Sequence, residues 1–511
     1  DPTVKRKSGF LTPSYSVSES LGTAINLPYY KVLGKDRDIT FNPRYYADES
    51  FLLQNEYRQV LKNSKILNDF SFLVGEAGTK SHFFYNQLGK INNNLNFELN
   101  LQDVRGDNYL KNHKLIETSE LISNDNILLS NLDLNWDLKE ASLNTSFKIF
   151  EDLSRTQSDR YQYVLPEFSY SKNIEIPEDY NGNFNFSSSG YNTHYNTNVY
   201  ETNLTNNFLF SSNRLLNSNG LVSNYNLLLK NANSYTNNSS DLKEDSNYDL
   251  FGTFKIDTSL PLQKKMKDFT HFLKPIASFR YSPNKNRDIS SKDILLSYNN
   301  VFSLDRIGSS DQVEGGESLS LGLEFKRDNN DGFKIIDFKV ANVLRLKENN
   351  KLPIKSKLNK TRSDIFGSLR YNFNDNLNAE YFFSYDRDLE YSNLEQFALE
   401  YEVNNFLTNF SYYTEDNDFG SQENLKNNTS FNFNKENKIS FEMTKDLAND
   451  FTQYYDVMYT YYTDCISINF NYNKSFFSDG NLKPNKTLSF LIKIIPFTEL
   501  GVPNVGTLIR Q

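Results

Sequence analysis

Apolar and polar residues alternate one by one along most of this chain, and few folds tolerate that pattern at such length. Leu95, Phe97, Leu99 and Leu101 are separated by Asn96, Glu98 and Asn100. Leu132, Leu134, Trp136 and Leu138 alternate with Asn131, Asp133, Asn135 and Asp137, and Leu143, Thr145, Phe147 and Ile149 with Asn144, Ser146 and Lys148. Near the end, Ile466, Ile468, Phe470 and Tyr472 face away from Ser467, Asn469, Asn471 and Asn473. Successive side chains of a strand point to opposite faces, so each segment predicts a strand with one apolar and one polar face. Convincing helical periodicity is absent.

The alternation runs through 511 residues with no Pro-rich or Gly/Ser linker to divide them. Only 38% of residues are hydrophobic, and mean hydropathy is −0.64. A soluble protein of this size would need more Leu, Val and Ala to fill its cores. Aromatics are abundant instead, with 41 Phe and 33 Tyr beside a single Trp. A wall that is apolar outside and polar inside fits this composition. The net charge of −9, with both signs interspersed, offers no basic stripe for nucleic acid. No apolar run is long enough for a membrane helix, as a spanning β-sheet requires of its sequence.

Parsing the alternation predicts about 26 antiparallel strands of roughly 9–15 residues, in an all-β transmembrane barrel. Links from even to odd strands are tight, for example Asn63-Ser64-Lys65, Asp375 and Asn405. Long polar links run from odd to even strands, at 104–124, 234–244, 284–316, 346–361 and 475–484. Short periplasmic turns and long extracellular loops are sorted this way in outer-membrane barrels, which puts both ends of the wall on the periplasmic side. A further strand near 291–304 is left open. The barrel is expected over 1–497, with 498–511 as a periplasmic tail. A start at Asp1-Pro2, without Met or signal peptide, suggests a piece of a longer precursor. A bilayer offers no water to strand edges, so the first strand must pair with the last.

Pro13 and Pro28 fall inside the first two predicted strands, where proline cannot donate a ladder hydrogen bond. Pro496, near the end of the last strand, is expected opposite the start of the first, where Gly9 adds flexibility. From residue types alone, a weakened seam and a pair of ordinary β-bulges are equally good readings. Cys465, the single cysteine, is expected at the periplasmic start of strand 25. It is either bonded to a partner elsewhere or a free, buried thiol.

Other candidates are weaker. His82, His113, His194 and His271 lack metal-ligand spacing and read as isolated surface or luminal residues. Asp305, Asp311, Glu314 and Glu317 cluster in or beside the longest loop. They suit a solvated acidic loop better than a divalent-cation site. No nucleophile elbow, phosphate loop or catalytic carboxylate pair stands out, so the chain reads as a non-enzyme without cofactor or metal.

Several segments resemble landmarks of one family. Lys5-Arg6-Lys7-Ser8-Gly9-Phe10-Leu11-Thr12-Pro13 looks like the opening of the LptD barrel. So do Leu27-Pro28-Tyr29-Tyr30, Asp38-Ile39-Thr40-Phe41-Asn42-Pro43-Arg44-Tyr45-Tyr46 and Gln54-Asn55-Glu56-Tyr57-Arg58. Asp159 to Glu167, Asp305-Arg306-Ile307 and Tyr462-Thr463-Asp464-Cys465 also resemble family landmarks, with the likeness densest in the first 60 residues. The resemblance implies an outer-membrane translocon that inserts lipopolysaccharide into the outer leaflet. It implies a lateral gate between first and last strands, loosened by Pro13 and Pro28. An LptE-type plug lipoprotein would fill the lumen. An N-terminal periplasmic jellyroll domain, expected upstream, would contact the lipopolysaccharide bridge and supply the disulfide partner of Cys465. The alternative is a large diffusion porin or substrate-specific channel.

Overall fold

The computed structural model describes residues 6–494 except 19–20, 48–49, 76–77, 156–159, 196–197, 240–241, 243, 418–419, 465 and 477–483. Its hydrogen-bonded segments form one closed antiparallel sheet, in which four strands are briefly interrupted, giving a wall of 26 strands. In chain order they begin with β1 (Gly9–Phe10 and Ser14–Ser18), β2 (Gly22–Asn26 and Tyr29–Val32), β3 (Arg37–Tyr46), β4 (Phe51–Val60) and β5 (Ser64–Val74). Next are β6 (Lys80–Lys90), β7 (Leu95–Arg105), β8 (Ile127–Asp137), β9 (Ala141–Asp152), β10 (Tyr161–Ile174) and β11 (Gly182–Tyr195). β12 (Val199–Ser212 and Leu215–Leu216), β13 (Val222–Asn237), β14 (Asp245–Ser259 and Leu262–Lys265), β15 (Phe269–Ser282), β16 (Gly316–Asn329) and β17 (Lys334–Arg345) follow. The wall continues with β18 (Ile365–Asn374), β19 (Leu377–Tyr385), β20 (Ser392–Val403), β21 (Phe406–Asn417) and β22 (Gly420–Asn432). It ends with β23 (Asn437–Asp446), β24 (Phe451–Tyr462), β25 (Ile466–Ser475) and β26 (Asn485–Ile494).

Each strand pairs with its sequence neighbours, and β1 pairs with β26 to close the ring. The alternating residues divide as their pattern demands. Leu95, Phe97 and Leu99 of β7 stand opposite Trp136, Leu134 and Leu132 of β8. On the other face Asn86, Asn100 and Asn131 are linked by amide hydrogen bonds of 2.5 and 3.0 Å. Trp136, Phe147, Phe83 and Leu101 remain exposed, an apolar outer surface suited to lipid. β22 starts earlier than the alternation marks, because Gly420 closes directly onto Asn417 and its first residues carry almost no apolar side chain.

Loop parity follows the sequence pattern. Even-to-odd links such as 61–63, 138–140 and 404–405 are short, and the long ones are 106–126, 238–244, 283–315, 346–364 and 476–484. No strand forms at 291–304; that stretch belongs to a loop packed on the wall. Three of the four strand interruptions contain a proline: Leu11–Pro13, Leu27–Pro28 and Leu260–Pro261. Missing N–H donors, rather than a change of direction, explain these breaks.

Candidate functional site

The seam is the shortest closure in the wall among the described residues flanking it. β26 pairs with β25 from Ile466 opposite Ile494 to Ser475 opposite Asn485. Its pairing with β1 covers only Ser14–Ser18 against Leu491–Thr487. Gly9 and Phe10 pair with Tyr30 and Tyr29 of β2, on the side away from β26. By the loop parity, the described pairing of the seam lies in its extracellular half.

Proline chemistry accounts for the change at this level. Phe10 stands opposite Tyr29 and Ser14 opposite Asn26, so Leu11–Pro13 face only Leu27–Pro28. The extra residue makes a β-bulge, which re-aims the strand below it. Leu11 N–H donates to the Pro28 carbonyl at 2.8 Å, and Leu27 N–H donates to the Pro43 carbonyl at 3.2 Å. Neither proline has an N–H to return. Pro43 lies within β3, a third interruption of the donor pattern. A Cβ at Gly9 would meet open space, so steric need does not explain that glycine.

Three extracellular links fold into the mouth, two of them packed together. The first, 106–126, carries one α-helical turn, α1 (Tyr109–Asn112), and a 3-10 turn at Leu115–Glu117. Tyr109, Leu110 and Leu115 are fully buried against Ala24, Tyr46, Leu52, Leu73, Phe84, Val104 and Leu128, on the ends of β2 to β8. Each buried leucine contributes about 1.5–3 kcal/mol. Polar contacts fix the depth: Arg44 donates to the His113 carbonyl at 2.7 Å, and Thr118 Oγ1 to Gln54 Oε1 at 2.8 Å.

This loop also explains two of the histidines, which are not isolated surface or luminal groups. His82 is buried, with Nδ1 2.6 Å from Ser71 Oγ and Nε2 3.1 Å from an Asp69 oxygen. His113 is buried too, with Nδ1 2.8 Å from the Tyr46 hydroxyl. The Asp69–His82–Ser71 series has the residue types of a hydrolytic triad. However, Ser71 Oγ is closed off by the Tyr109 hydroxyl at 2.6 Å, and all three residues are buried. The arrangement anchors Tyr109. His194 stacks on Tyr200 at 4.2 Å, and His271 lies beside Phe325.

The second loop, 283–315, packs with 346–364 on β13 to β18 through Ile289, Leu296, Val301, Ile307, Val313, Leu352 and Leu358. Its acidic residues form neither a solvated patch nor a cation site. Glu314 is fully buried and bonds Arg306 at 2.6 and 2.7 Å, and also Arg345. Asp305 pairs with Lys230 at 2.9 Å, and Asp311 with Arg287 at 2.7 Å. Glu317 belongs to β16, outside this set. Burial pushes the Glu314 carboxyl up, but the attraction of Arg306, Arg280 and Arg345 outweighs it and holds the group down at about 2. Alternation gave no hint of these pairs, because loop residues have no period.

Comparison with known proteins adds the family. The model of the LptD family, LPS transport system D, matches residues 78–444, well over half of the chain. The chain belongs to the LptD family. The match lies largely beyond the N-terminal motifs that first suggested it. The LPS-assembly protein LptD of Pseudoalteromonas translucida is 26% identical over 201 residues, 37% of this chain and 25% of that protein. The one from Yersinia enterocolitica is 24% identical over 372 residues, 61% of this chain and 44% of that protein. The matched part is thus less than half the length of either relative. The siderophore receptor PiuA of Acinetobacter baumannii covers 96% of this chain at 8% identity, with a TM-score of only 0.31.

For an LptD barrel the location is the outer membrane, and the exposed apolar girdle is its lipid-facing surface. Of the residues singled out from sequence, Gly9 and Pro13 lie on β1, Gly9 paired away from β26, and Pro28 lies in the interruption of the neighbouring β2. Pro496 and Cys465 lie outside the described residues, as does the tail from 498.

Proposed function

We propose that this barrel passes lipopolysaccharide across the outer membrane and releases it sideways between β1 and β26 into the outer leaflet. One observation carries the reading: described pairing across the seam is confined to Ser14–Ser18 and Thr487–Leu491, in the extracellular half. Among the described residues, this is the closure whose opening breaks the fewest ladder pairs. Pro13 and Pro28, with Gly9 and Pro496, are the residues assigned to the gate. Family membership and the relatives' names support lipopolysaccharide as cargo. The same reading assigns an LptE-type lipoprotein to the lumen and a periplasmic bridge to an N-terminal jellyroll domain. Cys465 is assigned a disulfide with that domain, to be tested by gel mobility of the full-length protein with and without reductant.

The test of the gate is a reversible staple. Ser16 and Ser489 stand directly opposite across the seam, close enough for a disulfide between cysteines. Oxidised Ser16→Cys/Ser489→Cys protein, reconstituted full-length with its partners, is expected to stop delivering lipopolysaccharide and to resume on reduction. Undiminished delivery by the oxidised form would refute the gate.

A further inference from the structure

Beneath loop 283–315 the luminal wall holds a row of like charges. Lys255 of β14 stands opposite Arg280 of β15, Arg280 opposite Ser318 of β16, and Ser318 opposite Arg345 of β17. Lys230 of the adjacent β13 stands opposite Phe251, four residues along β14 from Lys255, and all four cations are buried. Like charges placed opposite each other destabilise a sheet. Burial without full pairing adds to that cost.

The loop compensates them incompletely. Its backbone carbonyls accept from each in turn: Ser309 from Lys230 at 2.8 Å, Phe302 from Lys255 at 2.6 Å, Leu304 from Arg280 at 2.8 Å and Gly315 from Arg345 at 2.6 Å. Carboxylates come from Asp305 and Glu314 of the loop and Asp257 of β14. The loop brings its own Arg306 as well, so five cations face three carboxylates. Arg280 shows the shortfall: it is 2% exposed, Nη1 is 4.0 Å from Glu314, and neither Nη1 nor Nη2 has a hydrogen-bond partner. A wall needed only to hold a loop would be cheaper with fewer charges or more acids. Guanidinium and ammonium groups in a row, met by a line of oxygen atoms, match phosphate.

We propose that Lys230, Lys255, Arg280 and Arg345 form a binding track for phosphate groups on the sugar head of the transported glycolipid. Loop 283–315 occupies the track at rest. Its carbonyls and Glu314 stand where phosphate oxygens bind, so an arriving head displaces the loop. The cargo in this statement rests on the proposed function; the anion site does not.

The experiment uses the full-length protein with its partners in nanodiscs, and inorganic pyrophosphate as the first probe in calorimetry. Glu314→Gln removes the competing carboxylate and is expected to bind pyrophosphate at least tenfold more tightly than the parent. Adding Lys255→Gln and Arg280→Gln should cancel the gain. Equal affinity in parent and Glu314→Gln protein, or a gain that survives loss of the two cations, would overturn the track. Heat-modifiable migration on gels identifies folded barrels, and Lys255→Gln alone provides a milder variant, expected to lose severalfold in affinity. A bisphosphorylated glucosamine disaccharide and its dephosphorylated form then separate the cargo head from free phosphate. Preference for the phosphorylated sugar over pyrophosphate supports a headgroup site; equal binding of the dephosphorylated sugar overturns phosphate recognition. A stapled seam that still exports would defeat the gate while leaving these binding results intact.

Discussion

Leu11 gives its backbone N–H to the Pro28 carbonyl at 2.8 Å, and Pro28 can give nothing back. One strand further, Leu27 and Pro43 repeat the arrangement at 3.2 Å. The first three strands are thus under-bonded at one level, just where described pairing between β1 and β26 stops.

Restoring donors at this level should stiffen the seam. Each ladder hydrogen bond contributes about 1 kcal/mol net, so Pro13→Ala/Pro28→Ala is expected to slow lipopolysaccharide delivery severalfold. Arrival of lipopolysaccharide in acceptor liposomes measures this. Parental rates would leave the two prolines as bulges without a role in export.

Tyr109 should govern the inward loop beside the seam. Tyr109→Phe removes only the hydroxyl contact to Ser71 and is expected to loosen 106–126 by about 1 kcal/mol. Tyr109→Ala also empties a fully buried site and should cost roughly 3–5 kcal/mol. Amide exchange across 106–126, compared with that of β5 and β6, distinguishes local release from loss of the barrel.

Glu314→Gln should free the second loop without unfolding the wall. Breaking a buried pair costs about 3–5 kcal/mol, because the remaining charges are left uncompensated. Limited proteolysis within 288–300 is expected to accelerate while the protein keeps its heat-modifiable migration. Protease resistance equal to the parent's would mean that apolar packing alone holds the loop.

Acid should release the same loop. The Glu314 carboxyl lies at about 2 in the folded protein against an ordinary 4.5. Its contribution is fully present above pH 4.5 and is lost as pH falls from there toward 2. Proteolysis by an acid-active enzyme should therefore rise over that window in the parent. Glu314→Gln should be susceptible already and lack the rise attributable to this group.

The sequence by itself determined the wall. Whether a strand residue meets lipid or lumen depends on its parity, and parity is written locally, as in Leu95, Phe97 and Leu99 against Asn96, Glu98 and Asn100. Link lengths added strand count and orientation, and Pro13 and Pro28 fall where the first two strands are interrupted. Where polar tracts replaced alternation, as at the start of β22, the boundary was missed. The interior was decided only in three dimensions. His82 meets Tyr109, and Glu314 meets Arg345, because long loops turn back into the mouth and bring together residues with no common period. Those loop residues gain their partners from burial against distant strands, a relation that depends on closure of the whole barrel and leaves no local pattern to read.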